Sequence, residues 1–193
     1  MLSHQGTVRL ETERLILRRF VPEDLEPAFR NCFGDKEVWQ WTRYAPMDCV
    51  EDVVSRAGMF TEKWLGWYSR PNRYSWAVAL RETDECIGRM FGMHPDDEAA
   101  QVELAYELGR AWWGRGLMTE AVGAVLDFFF TQVGMDKVVA YHADANPASG
   151  RVMRKCGMRY VKTMPDGCQC NAGVFDSLWY ELTAEEYFRR KQK

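Results

Sequence analysis

Residues 102–160 read VELAYELGRAWWGRGLMTEAVGAVLDFFFTQVGMDKVVAYHADANPASGRVMRKCGMRY, and this stretch decides the fold. A strand-like run, Val102 to Leu108, enters a tight loop carrying Gly109, Gly114 and Gly116 with Arg110 and Arg115. A long apolar helix follows from Leu117 to Val133. Then come a second strand-like run, Lys137 to Ala143, and a shorter helix opened by Asn146-Pro147. Strand, glycine-rich turn and helix form an anion-binding arrangement. The first N–H groups of a helix lack intrahelical partners, and the helix dipole places partial positive charge there. Glycine lets the backbone approach a phosphate closely.

Spacing narrows the choice. Gly114-x-Gly116 continues with Leu117-Met118-Thr119, so the third glycine of a dinucleotide fingerprint is missing. Gly109 and Gly114 have the glycine spacing of a P-loop, but Arg115-Gly116 stand where Lys and Ser or Thr belong.

The remaining pattern resembles the GNAT superfamily of acetyl-CoA-dependent N-acetyltransferases, in particular its RimJ/RimL-like branch. The superfamily loop [QR]-x-x-G-x-[GA] maps onto Trp113 to Met118, with its central glycine at Gly116. Trp113 and Met118 depart from its first and last positions. The branch pattern E-x-G-Y…W-W-G-x-G-x-x-T-E-A fits at Glu103, Tyr106, Trp112-Trp113-Gly114, Gly116 and Thr119-Glu120-Ala121, with Ala105 in place of a glycine. A second pattern, N-x-x-S…K-x-G-[FM], fits at Asn146, Ser149, Lys155, Gly157 and Met158.

The resemblance implies an α/β (α+β) fold: one GNAT-like domain over residues 1–193 with a mixed, mostly antiparallel central sheet flanked by helices. It implies acetyl-CoA as donor, with no metal, and an amine acceptor that is a small molecule or a protein N-terminus, including that of a ribosomal protein. It also implies a site. The backbone of Arg115, Gly116, Leu117 and Met118 in the Gly114–Thr119 turn would take the pyrophosphate, with Trp113 at the loop's first position and Thr119 adding a hydroxyl. Arg115, Arg151 or Arg154 would meet the other phosphate. Backbone groups from Tyr106 to Leu108 would pair with the pantetheine arm. Asn146 would contact that arm, and the Ser149 hydroxyl would lie near the sulfur.

Acetyl transfer to an amine needs a neutral amine, donors for the oxyanion and a proton for the leaving thiolate. Glu103 is the leading base candidate, because a carboxylate on an inward strand face is costly without a use. Glu107 lies on the same side by period-2 alternation. His142 and a water chain remain alternatives. Asn146 followed by Pro147 is also a sufficient helix N-cap without any catalysis. The rival readings are a non-catalytic acyl-CoA-binding module of the same fold and an aromatic-rich interaction protein.

Elsewhere, Val8 to Phe20 reads as one extended segment, and Pro22-Glu23-Asp24 opens a helix. A second helix is expected from Asp35 to Tyr44, broken by Pro46. A third is expected from Met47 to Trp67, with Val50, Val53, Val54, Ala57, Phe60, Trp64 and Leu65 at helical spacing. Tryptophans 39, 41, 64, 67 and 76, with Tyr44, Tyr68 and Tyr74, read either as core or as an aromatic acceptor cleft. Tyr74 to Arg81, Cys86 to Met93 and Val102 to Leu108 form a meander, with His94–Glu98 as a loop. Tyr160 to Thr163 and Gly173 to Leu182 read as closing strands bent at Asp166-Gly167. Thr183–Glu186 is a capping box for a last helix.

The chain has 193 residues, is 47% apolar and carries a formal charge of −3. That suits a sizeable core and argues against a nucleic-acid surface. No apolar run is long enough to span a bilayer, and no signal core opens the chain, so a cytoplasmic protein is expected. The six cysteines form no C-x-x-C pair and read as thiols. Edge strands and exposed aromatics are compatible with a homodimer.

Overall fold

In the computed structural model, which describes residues 1–44, 47–56 and 58–192, eight strands form one sheet. In chain order they are β1 (Leu10–Glu11), β2 (Leu15–Arg18), β3 (Tyr74–Leu80), β4 (Cys86–Asp96), β5 (Gln101–Leu108), β6 (Lys137–Ala143), β7 (Arg159–Cys170) and β8 (Gly173–Thr183). They lie in the order β1-β2-β3-β4-β5-β6-β8-β7. Every neighbouring pair is antiparallel except β5 and β6, which run parallel. The sheet is therefore mixed and mostly antiparallel, as the resemblance implied.

Helix α5 (Leu117–Phe128) continues through a wider π turn, Phe129–Val133, closed by Gly134 at φ +83°. Its two apolar stripes, Leu117, Ala121, Val125, Phe128 and Met118, Val122, Leu126, Phe129, are all buried. Each large side chain so buried contributes about 2 kcal/mol from apolar area alone. The phenylalanines pack edge-on against Tyr74 and Trp76 of β3, at 5.0 to 6.0 Å between ring centroids. Gly92 makes this approach feasible, because a Cβ there would lie 2.6 Å from the Phe129 ring. Met153 of α6 (Pro147–Lys155) joins this core, and Tyr187 of α7 (Ala184–Lys191) packs on it. A second core is built from α1 (Leu25–Ala28), α2 (Lys36–Trp39), α3 (Val50–Ser55) and α4 (Glu62–Leu65), with Ala77 and Cys86 of the sheet.

Several expectations are corrected. Val8–Phe20 is not one strand. The chain reverses at Thr12, whose N–H donates to the Leu15 carbonyl, and Leu10 pairs with Leu17. The expected helix over 47–67 is divided. Gly58 and Phe60 sit at φ +63° and +61°, and Thr61 opens α4 as its N-cap by accepting from Trp64 N–H. Helix α2 stops at Trp39 because the carbonyls that follow bond elsewhere: Gln40 accepts from Ala172 and Thr42 from Asn171. Pro46 and Ala57 lie outside the described residues. His94-Pro95-Asp96 belongs to β4, with a register shift between Met93 and Asp96 that accommodates the proline. Asp166-Gly167 is a bulge inside β7, and the hairpin turns at Asn171-Ala172 instead.

Candidate active site

The parallel pair β5–β6 is joined only from Gln101 to Glu103 opposite Lys137 to Val139. Beyond Glu103 the two strands part. Gly109 N–H donates back to Ile87 on the β4 side. By the alternation of an antiparallel ladder, Leu104, Tyr106 and Leu108 therefore turn their backbone groups into the gap. The gap opens into a cavity of about 680 Å³. Of the site residues singled out from sequence, Glu103, Tyr106, Leu108, Trp113, Gly114, Gly116, Leu117, Met118, Thr119, Asn146 and Ser149 all line it. Arg115 does not.

The turn before α5 has the form an anion needs. Gly114 and Gly116 take φ +74° and +78°. From Gly114 to Thr119 no backbone N–H has a hydrogen-bond partner among the described residues. The side chains of Leu117 and Met118 are buried in the core, so only their backbone faces the turn. Trp113 is engaged internally: its indole N–H donates to the Leu108 carbonyl at 2.6 Å, tying the loop to the end of β5. Glu120 braces the turn from behind. It accepts from Thr12 Oγ1 and from Arg14 N and Nε at 2.5 to 2.8 Å, while Arg14 Nη1 donates to the Arg115 carbonyl at 3.0 Å. Sequence reasoning missed Thr12 and Arg14, because the segment 8–20 gave no sign of where it would pack. Of the other arginines proposed for a phosphate, Arg154 donates to Tyr180 Oη at 2.8 Å, whereas Arg151 is exposed on the cavity wall.

Across the gap stands the N-terminus of α6. Asn146 caps it, its side-chain oxygen accepting from Ser149 N–H at 3.4 Å. The Tyr106 phenol lies 3.1 Å from both the Ser149 hydroxyl and the Ser149 carbonyl. Burial pushes that phenol well above its ordinary range, so it stays protonated. His142 sits beneath the helix. Its Nδ1 meets the Ala143 carbonyl at 2.7 Å, and its buried Nε2 has no partner among the described residues. Burial lowers its pKa. Gly150 is required above it, since a Cβ there would lie 2.4 Å from Nε2.

The carboxylates of β5 are in different states. Glu107 is bound at two points by the guanidinium of Arg89, one contact being Nη2 to Oε1 at 3.0 Å. Arg89 is buried, with the rings of Phe33, Trp39 and Phe91 about it at 4.9 to 5.1 Å. Both oxygens of Glu107 are thereby occupied by the guanidinium. Glu103 makes no salt bridge among the described residues. Burial raises its pKa, and His94 pulls it back in part. Tyr141, also on the cavity, feels the Glu103 charge and stacks on Trp179 at 4.7 Å.

The aromatic cluster divides between its two readings. Trp39, Trp64 and Trp76 are core, whereas Trp41 and Tyr44 line the cavity. All six cysteines are free thiols. Among the described residues no group of three His, Cys, Asp or Glu is placed to hold a metal, and no helix is long and apolar enough to cross a membrane.

Residues 14–159 match the family model described as an acetyltransferase (GNAT) domain. The chain is 28% identical over 178 residues to a Bacillus licheniformis protein called uncharacterized N-acetyltransferase p20, covering 92% of this chain and 97% of that one. A GCN5-related N-acetyltransferase from Brucella melitensis superposes with TM-score 0.81 at 17% identity, over 99% of this chain and 85% of that one. The ribosomal-protein-S5-alanine acetyltransferase of Vibrio fischeri superposes with TM-score 0.77 at 15% identity, over 93% and 98%. These two likenesses show the fold alone. The family match, spanning most of the chain, shows more: the chain belongs to the GNAT acetyltransferase family and is an N-acetyltransferase.

Proposed function

We propose that this chain moves the acetyl group of acetyl-CoA onto a primary amine by direct attack on the thioester, without an acyl-enzyme. One observation carries the reading: the strand gap, the turn residues Gly114 and Gly116 to Thr119 with their partner-free N–H groups, and the unpaired Glu103 all line one cavity. The turn fits a pyrophosphate, and the exposed backbone of Tyr106 and neighbouring β5 residues fits the amide-rich pantetheine arm. Once bound, acetyl-CoA supplies an activated acyl group with a thiolate leaving group.

The chain's own residues do the rest. Glu103, with its raised pKa, takes a proton from the incoming ammonium directly or through water. Ser149, held by Tyr106, presents a hydroxyl to the departing sulfur. The strand gap and the turn hold donor and amine in reacting geometry, which alone supplies much of the rate. The acceptor is a primary amine, and a protein N-terminus is the finer proposal. It rests on the Vibrio fischeri neighbour, whose name states a ribosomal-protein alanine as its target.

The test is calorimetric titration with acetyl-CoA, with dephospho-CoA, ATP and NAD as controls. Acetyl transfer to a panel of amines and N-terminal peptides follows. Selective binding and turnover support the reading; absence of binding removes it.

A further inference from the structure

The segment between Trp39 and Tyr44 is held by a distant part of the chain. At the tip of the β7–β8 hairpin, Asn171 N–H donates to the Thr42 carbonyl at 2.8 Å and Ala172 N–H to the Gln40 carbonyl at 2.9 Å. The Asn171 side-chain amide donates to the Trp39 carbonyl at 3.0 Å and to the Tyr44 carbonyl at 2.6 Å. Both amide hydrogens are therefore engaged, one at each end of the segment. Arg43 Nε donates to the Gln169 carbonyl at 3.1 Å, and the Trp41 ring lies 5.8 Å from that of Phe175.

The consequence falls on the cavity. Trp41, Thr42, Arg43 and Tyr44 line it, on the same cavity as Glu103, while Asn171 does not. Tyr44 is 64% exposed, so little packing holds it in place without the hairpin. After the buried Trp39 the segment is short and irregular, half-buried at Gln40 to Thr42 and exposed at Arg43 and Tyr44, so its outer end is the kind of element that opens locally at low cost. The Trp39 and Tyr44 carbonyls also accept from Thr42 Oγ1 at 3.1 and 3.3 Å inside the segment, and the Asn171 amide is what ties that local turn to the hairpin.

Resting on the acetyl-transfer reading, we infer that Asn171 is a positioning residue that sets which amine the site accepts. It acts through the Trp41–Tyr44 wall and touches no reacting atom. Loss of the side-chain amide frees the wall, weakens acceptor binding and changes the ranking of amines. The donor side is unaffected, because the 114–119 turn and the β5–β6 gap make no use of the hairpin tip.

The experiment uses the full chain as wild type, Asn171→Ala and Asn171→Asp. Asp preserves size but offers no amide hydrogen. Each is assayed against a panel of primary amines and short N-terminal peptides, with acetyl-CoA calorimetry and amide exchange alongside. The expected result is an acceptor KM raised roughly tenfold with kcat within about twofold, the pattern of lost ground-state binding. Acetyl-CoA affinity should be unchanged, the amine ranking altered, and exchange faster at residues 40–44 but not at 101–108. Unchanged acceptor KM and ranking in both variants overturns the inference alone. Equal loss of acetyl-CoA affinity also overturns it, because the damage is then general. Wild type that binds acetyl-CoA but acetylates no panel member fails the acetyl-transfer reading, and the inference falls with it.

Discussion

Tyr106 of β5 and Ser149 of α6 meet across the parted strands, phenol oxygen to hydroxyl oxygen at 3.1 Å. Each comes from a separate motif, and the fold brings them into contact where the sheet opens. The phenol stays protonated because burial raises its pKa, so it can orient the serine hydroxyl without ionising. Ser149→Ala should lower kcat on the order of 10²-fold, the usual scale for a positioned proton donor. Tyr106→Phe should lower it less, since the serine remains but loses its guide. Acetyl-CoA affinity, measured by calorimetry, should stay within about twofold in both. An unchanged kcat in Ser149→Ala removes the hydroxyl from the chemistry.

Glu103 gives a prediction with a definite sign. Burial raises its pKa in the folded chain. The folded state therefore binds that proton more tightly than the unfolded state, and stability is lost as pH rises through the window above the ordinary glutamate value. Glu103→Gln removes that cost. Its thermal midpoint should exceed that of wild type near pH 8, with the difference vanishing near pH 4, where both side chains are neutral. Its kcat/KM should fall and lose the acid limb that reports ionisation of the base. A gain in stability with full activity would make Glu103 a strained bystander, and His142, whose imidazole burial keeps neutral, or water would carry the proton instead.

The legible part of the chain was the part governed by local pattern. Alternation in Tyr74–Leu80 and Gln101–Leu108 marks the meander, and the two stripes of α5 mark the central helix. The glycines at 114 and 116 mark a turn that needs positive φ. What escaped depends on partners far away in sequence. The reversal at Thr12 is fixed by Glu120, the end of α2 by the hairpin tip at Asn171 and Ala172, and the state of Glu107 by Arg89. The parting of β5 from β6 after Glu103 is likewise invisible, because both strands remain regular on either side of it.

Arg89 and Glu107 form a pair whose two halves are unequal in effect. Arg89→Met leaves the Glu107 carboxylate half-enclosed without its counter-charge, and it also takes the cation away from the rings of Phe33, Trp39 and Phe91. Breaking a buried pair from one side costs about 3 kcal/mol or more. For a chain of this length that lowers the thermal midpoint by roughly 10 °C. The double variant Arg89→Met with Glu107→Gln should recover part of the loss, because no buried charge is left alone. Simple additivity in the melting data would show that the two side chains are not coupled.

Gly116 separates the demands of the fold from those of the ligand. A Cβ there meets nothing closer than Arg14 Nη2 at 3.7 Å, so the protein has room for it. The positive φ still costs about 1 kcal/mol for an L side chain. Gly116→Ala should therefore fold with a small loss of stability. Acetyl-CoA affinity should fall by about tenfold or more, with Gly116→Val worse, because the side chain stands where a phosphate must approach the backbone. Near-normal affinity in a folded Gly116→Val would move the pyrophosphate away from this turn.

Glu120 carries the opposite pH sign to Glu103. Burial works to raise its pKa, but hydrogen bonds from Thr12 and Arg14 outweigh it and hold the carboxyl below its ordinary range. Its contribution to stability is present above the unfolded glutamate value and is lost as pH falls through the lower folded value. Glu120→Gln should thus destabilise the chain at neutral pH, and the gap to wild type should close in acid. The same carboxylate positions Arg14, which holds the Arg115 carbonyl at 3.0 Å, so the 114–119 turn loosens with it. Acetyl-CoA affinity should drop severalfold at neutral pH while the acceptor KM stays put. A loss of stability with unchanged acetyl-CoA affinity would show that the turn holds its shape without the brace from β1–β2.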